Sequence, residues 1–141
     1  MKKCLNLSLI YAIVGLLGGV FYREFSKMNG FTGKTVLANV HTHLLMLGMV
    51  VFLIVALFCA HFKTLPETKG FKVFLIVYNV GVAMTVVMMA VRGVTEVLGL
   101  ELTRGANGAI SGIAGVSHII VAAGIVRMIL CLKRCAKNEE A

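Results

Sequence analysis

Residues 40–58 read VHTHLLMLGMVVFLIVALF, and His41 and His43 stand two residues apart at the head of this apolar run. An imidazole can ligate a metal, move a proton or hydrogen-bond across a helix contact. In hydrocarbon it is retained where one of these offsets the cost of placing it there. At 100° per residue the two rings leave an α-helix about 200° apart. They cannot grip one small ion as an i, i+4 pair can, so each needs its own partner. His41 shares a face with Leu45 and Gly48, and His43 with Asn39, Leu47 and Val50. A third histidine, His118, lies in GAISGIAGVSHIIVAAGIV on a face with Ser111, Ala114, Gly115 and Ala122, beside a seam of Gly108, Gly112 and Gly115. Small residues allow close helix packing in lipid. They also leave room for a flat group such as a porphyrin.

The elements that position these residues follow from composition. The chain has 141 residues, 59% hydrophobic and only 14% charged, well beyond the apolar content of a soluble domain. A membrane span needs about 20 mostly apolar residues, and 5–25, 36–62, 72–98 and 107–132 meet that need. The joints REFSKMNGFTGK, HFKTLPETKGFK and GLELTRGAN are short and polar. The fold class expected is an all-α integral membrane protein: one four-transmembrane-helix bundle over 1–141, in contact with membrane lipids. MKK precedes the first span as it would a signal peptide. The apolar run continues past a signal core and no small-x-small site ends it, so it reads as a retained helix.

Basic residues give the orientation. Lys2, Lys3, Lys63, Lys69, Lys72, Lys133, Arg134 and Lys137 fall on one side, against Arg23, Lys27, Lys34 and Arg104 on the other. The positive-inside rule then puts both termini in the cytoplasm of a bacterial inner membrane. The net charge of +8 reads as a topology signal. No Cys/His finger and no basic helix free of the membrane is present, so nucleic acid is not an expected partner.

Other polar groups gather towards the outer half. Arg92 and Glu96, spaced i, i+4, either neutralise each other or leave Arg92, with Arg23 or Lys27, to hold an acidic group such as a haem propionate. Tyr11 and Tyr22 read as interfacial anchors and packing. Cys4, Cys59, Cys131 and Cys135 all fall at cytoplasmic helix ends, where disulfides do not persist. With His61 they form at most a weak metal-ligand set, and small apolar thiols are the plainer reading.

Three histidines within spans point to haem b with bis-histidine ligation. His43 and His118 are the first-choice axial pair. His41 is left for a second haem, a metal, a propionate or a neighbouring chain, and Arg92, Arg23, Gly48 and Gly115 are the residues expected around the cofactor. Zinc is disfavoured because no Asp or Cys lies at the same depth, and covalently attached haem is excluded because C-x-x-C-H is absent. VHTHLLMLGMVVFLIVALF resembles the H-x-H haem-ligating helix of the large subunit of haem–copper oxidases and nitric oxide reductases. That resemblance implies that His41 and His43 serve different haems on opposite helix faces. The oxidase's third copper-ligating histidine pair and its cross-linked His–Tyr have no counterpart here, so dioxygen reduction does not carry over. Across most of its length, through YREFSKMNGFTGKT, HTHLLMLGM, YNVG, VRGVTEVLG and SGIAGVSH, the chain also resembles a family of small bacterial four-helix membrane proteins of unknown function. The expected role is electron transfer, quinol-linked or otherwise, or sensing of a gas such as nitric oxide or dioxygen, in a homodimer. Two other readings stay open: a cofactor-free transporter or proton relay through His41, His43, Arg92, Glu96 and His118, against which the absence of a broken helix argues, and a structural subunit.

Overall fold

A computed structural model describes residues 1–139. Four helices are long and apolar enough to cross a membrane: α1 (Lys2–Met28), α2 (Val36–His61), α3 (Lys69–Val97) and α4 (Arg104–Glu139). These match the four expected spans. At 1.5 Å per residue α4 runs to roughly 54 Å, longer than the ~30 Å of hydrocarbon, so it projects beyond the apolar layer. The start of α1, the end of α4 and the 62–68 connection lie at one end of the bundle, the terminal end. The loops 29–35 and 98–103 form the distal end.

The helix boundaries have local causes. At the distal end α1 and α3 stop in the same way, with Gly30 (φ 61) and Gly99 (φ 63) in the left-handed region. Behind each glycine the chain bonds back five residues, Phe31 N–H to the Ser26 carbonyl and Leu100 N–H to the Thr95 carbonyl, which satisfies carbonyls that a helix end leaves bare. Thr35 caps α2 by accepting from the Leu37 amide at 3.1 Å, and Thr68 caps α3 by accepting from the Phe71 amide at 3.1 Å. Pro66, in the short 3₁₀ turn Leu65–Glu67, separates α2 from α3.

Of the four, α2 is not uniform. It opens as a 3₁₀ turn (Val36–Asn39), makes one α turn (Val40–His43), widens into a π-helix (Leu44–Val50) and closes as α-helix (Val51–His61). This corrects the expectation of an unbroken second span. Hydropathy carries no mark of it, because a π turn needs the same apolar residues as an α turn.

The core is aromatic at its centre. Phe52, Phe74 and Tyr78 are fully buried. Tyr11 stacks on Phe52 with centroids 5.7 Å apart, and Phe74 stacks on Tyr78 at 5.3 Å. Tyr11 is therefore a core residue rather than an interfacial anchor. Lipid tails give no hydrophobic drive to helix association, so close packing and interhelical hydrogen bonds must supply it. The α3–α4 seam shows both. A side chain at Gly81 would come within 2.7 Å of the Val121 backbone nitrogen, and one at Gly124 within 3.0 Å of Tyr78 Cβ. Between these glycines and the distal end, the Thr85 and Ser117 hydroxyls are hydrogen-bonded at 2.8 Å, both buried. The glycines on the far side of α4 behave differently: nothing lies within 4 Å of a Cβ placed at Gly108, Gly112 or Gly115.

Gly81→Val should destabilise the detergent-solubilised protein by about 1–3 kcal/mol, because the added carbons meet the α4 backbone, which cannot move aside. Gly112→Ala should not lower the melting temperature. Thermal unfolding of the two variants beside the wild type checks the seam.

Candidate functional site

The π turn in α2 changes where the histidines point. A π turn takes in about one extra residue, which sets back everything before it by about 100° relative to a straight α-helix. In a regular helix His43 would lie about 80° from Val51; with one residue inserted it comes within about 20°. His41 moves to about 180° from Val51, the opposite side of α2. The contacts agree. Cβ atoms at Gly18 and Gly19 of α1 would sit 3.8 and 3.6 Å from His41 atoms, so His41 packs on α1. His43 lines a shallow cavity of about 220 Å³ with Thr42, Met46 and Leu47.

Such a turn leaves carbonyls without their usual i+4 donor, and in hydrocarbon each must find another. Two hydroxyls from neighbouring helices supply donors in this turn. Tyr78 donates from α3 to the Leu47 carbonyl at 2.8 Å, and Ser8 donates from α1 to the Met49 carbonyl at 2.9 Å. Tyr11 donates to Asn79 Oδ1 at 2.7 Å, which ties α1 to α3 across the same level. Gly48 admits the Tyr11 ring, which a Cβ at that position would overlap. The space at Gly48 therefore belongs to the α1–α2 contact, and not to a bound group. None of these hydroxyl contacts was foreseen, although Tyr78 and Asn79 in the middle of an apolar span are a readable signal of polar need.

Val51 belongs to a groove of about 210 Å³ between α2 and α4. Val51, Ile54, Val55 and Phe58 form one wall, Ile125, Met128, Ile129 and Leu132 the other, and Phe74 of α3 also lines it. The two walls run parallel, since both helices pass from the distal to the terminal end. On α4, His118, Ala122, Ile125, Ile129 and Leu132 follow one another at three- and four-residue steps, a single stripe. His118 is seven residues, about 10 Å, above Ile125. His43, with one residue absorbed by the π turn, is also about 10 Å above Val51. Helix geometry thus assigns both histidines to the stripes that line this groove, each about 10 Å from it towards the distal end, and the cavity at His43 itself is lined by residues of α2.

Their rings are held alike. His43 Nδ1 is 2.9 Å from the Asn39 carbonyl and His118 Nδ1 is 2.7 Å from the Ala114 carbonyl. A carbonyl only accepts, so Nδ1 carries a proton in both rings, and in the neutral imidazole the lone pair is then on Nε2. A bond of this kind fixes the orientation of a metal-binding imidazole and raises its basicity. His41 differs: its Nδ1 is buried and has no hydrogen-bond partner among the described residues. A set of three or more His, Cys, Asp or Glu side chains placed to hold a metal ion does not occur among the described residues. Axial ligation by two histidines does not require one.

The remaining expected residues separate. Arg92 and Glu96 are not ion-paired. Arg92 Nη2 donates to Ser111 Oγ of α4 at 2.8 Å, while Glu96 Oε2 accepts from the Val36 amide of α2 at 2.9 Å. The carboxylate caps the first turn of α2 beside Thr35, whose hydroxyl reaches the Gly93 carbonyl at 3.2 Å. Arg23 is exposed at the end of α1, 3.6 Å from Glu24. Gly115 borders open space on the outward face of α4. All four cysteines are free and buried.

Tyr78→Phe keeps the aromatic packing and removes the donor to Leu47, so a buried carbonyl loses its partner at a cost of about 1–3 kcal/mol. Lower thermal stability, with faster amide exchange over 44–51 than over 52–60, is the expected result.

No curated protein and no solved structure matches this chain. The family described as Protein of unknown function (DUF2871) matches residues 1–135, nearly the whole chain, and its match agrees with four apolar helices and the short joints between them. The chain is a multi-pass membrane protein that belongs to the DUF2871 family.

Proposed function

We propose that this is a b-type haem protein of the bacterial inner membrane, in which His43 and His118 would hold one haem through their Nε2 atoms. The observation that carries the reading is the matched pair of Nδ1 contacts to backbone carbonyls, 2.9 Å at His43 and 2.7 Å at His118, which leave both Nε2 atoms free on the stripes that helix geometry assigns to the groove side of α2 and α4. The surroundings fit a flat apolar group: His118 stands among Ala114, Gly115 and Ala122, and the cavity at His43 is lined by Met46 and Leu47. A haem between two imidazoles supplies reversible one-electron exchange at its iron. The role is accordingly electron transfer, with quinol in the same membrane as a donor, or sensing of a small gas.

The chain's own groups have separable tasks in this reading. The Asn39 and Ala114 carbonyls orient the two rings. The Thr85–Ser117 bond holds α4 against α3 next to His118. Arg92, steadied by Ser111, offers a cation at the distal end for an acidic substituent. His41, turned towards α1, does not take part in this pair. The likeness to the H-x-H helix of haem–copper oxidases supports the use of two helix faces for two partners. A second copy of the chain, covering the open seam Gly108, Gly112 and Gly115, is the homodimer that belongs with this reading. The buried, unpartnered Nδ1 of His41, inside a helix that changes its winding, favours a cofactor-free proton relay as the second reading.

Protein purified from haem-replete cells should be red, with sharp α and β bands after dithionite. His43→Ala and His118→Ala should each lose or convert that spectrum, and His41→Ala should keep it. Haem content and reduced spectra of the three variants, measured together, decide the matter. Retention in all three sinks the haem reading, and loss only in His41→Ala reverses the assignment.

The basic asymmetry supports a cytoplasmic location for the terminal end. A cysteine replacing Lys34 should react with an impermeant thiol reagent in intact cells, and one replacing Lys69 should not. The opposite pattern inverts the topology.

A further inference from the structure

A cavity of about 610 Å³ opens at the terminal end, on the other side of the bundle's polarity from the histidines. Its walls include Lys63 and Lys69 from the joint and the start of α3, and Arg127 and Arg134 from α4, with His61 and Glu139 also present. The charge is one-sided. Glu139 is the one carboxylate among these six, and it lies 3.8 Å from His61, with both side chains more than half exposed. Among the described residues, four permanent cations therefore share one cavity with a single acid that already has a neighbour.

Loop lysines at a membrane surface are ordinarily solvated topology signals. Arg127 does not fit that account. It follows Val126 and precedes Met128 within α4, seven residues or about 10 Å before Arg134 and so inside the apolar span. A cation at such depth calls for a partner, yet its Nε is buried without one among the described residues. Room for the guanidinium is made by Gly70: a Cβ there would sit 3.3 Å from Arg127 Nη2 and 2.5 Å from Cys131 Sγ. The guanidinium is thus held against the start of α3, beside Lys69, with donors left over.

We propose that this cavity binds a phosphate group, with Arg127 and Lys69 as its principal contacts. Guanidinium and ammonium groups converging at the edge of the apolar layer suit a tetrahedral anion. Two sources carry that chemistry: the headgroup of an anionic phospholipid and a soluble phosphorylated compound. The depth of Arg127 and the apolar flanks of α4 favour the lipid.

The test uses the full-length protein in detergent, with phosphatidylglycerol or phosphatidylcholine in mixed micelles and inorganic phosphate as separate additions, read by native mass spectrometry and thermal unfolding. Wild type should retain phosphatidylglycerol over phosphatidylcholine. Arg127→Gln should weaken that retention about tenfold, Lys69→Gln about fivefold, and Lys34→Gln, on the distal loop, not at all. Lys69 is exposed, so its variant keeps the test open where Arg127→Gln fails to fold. Stabilisation by inorganic phosphate that Lys69→Gln or Arg127→Gln abolishes, without preference between the lipids, assigns the site to a soluble phosphate compound. Responses to lipid and phosphate that are the same in wild type and in both variants overturn the proposal.

Discussion

A backbone carbonyl in hydrocarbon has no water to turn to, and that constraint governs this bundle. A wide turn in the middle of a span exposes such carbonyls, so it persists only where other groups reach them. The hydroxyls of Tyr78 and Ser8 do so from the two helices that flank α2. The side chains that stabilise the turn thereby also fix α1 and α3 against it. The turn rotates both histidines of the H-x-H motif together relative to the rest of α2 and leaves their own separation of about 200° unchanged. His41 goes to the glycines of α1, and His43 joins the stripe that faces α4.

The third helix carries the rest. Its glycines admit neighbours at backbone distance, Gly93 against Leu37 of α2 and Gly81 against Val121 of α4. Its polar residues then act as ties rather than as a charge pair. Glu96 caps α2, Arg92 reaches Ser111 of α4, and Thr85 meets Ser117. A bundle built in this way holds α2 and α4 on either side of α3 with little apolar driving force, and the groove between them is left for side chains or a ligand to fill.

Much of this was legible in the residues. Hydropathy alone placed four helices, because lipid demands long apolar runs and tolerates few charges between them. The 200° separation of His41 and His43 also foretold that the two rings take different neighbours. What could not be read was the winding of α2. LLMLGMV is as good an α-helix as a π-helix, and only the hydroxyls opposite it, distant in sequence, select the second. For the same reason the role of Gly48 was misplaced: its missing side chain serves Tyr11, 37 residues earlier. The separate destinations of Arg92 and Glu96 depend on the starts of α2 and α4 and not on their own i, i+4 spacing. Arg127 stands as a charge within an apolar stretch of the sequence, but the cavity around it is assembled from three helices and their joints.

The proposed pairing of His43 with His118 rests on two Nε2 atoms meeting one iron, and the nuclear couplings of that iron report it most directly. Protein grown with ¹⁵N-histidine and oxidised to the ferric state should show two equivalent imidazole nitrogens in pulsed electron paramagnetic resonance, and removal of either His43 or His118 should leave at most one. Coupling to a single nitrogen in the wild type, or two couplings that survive the loss of His43 or of His118, would contradict the account.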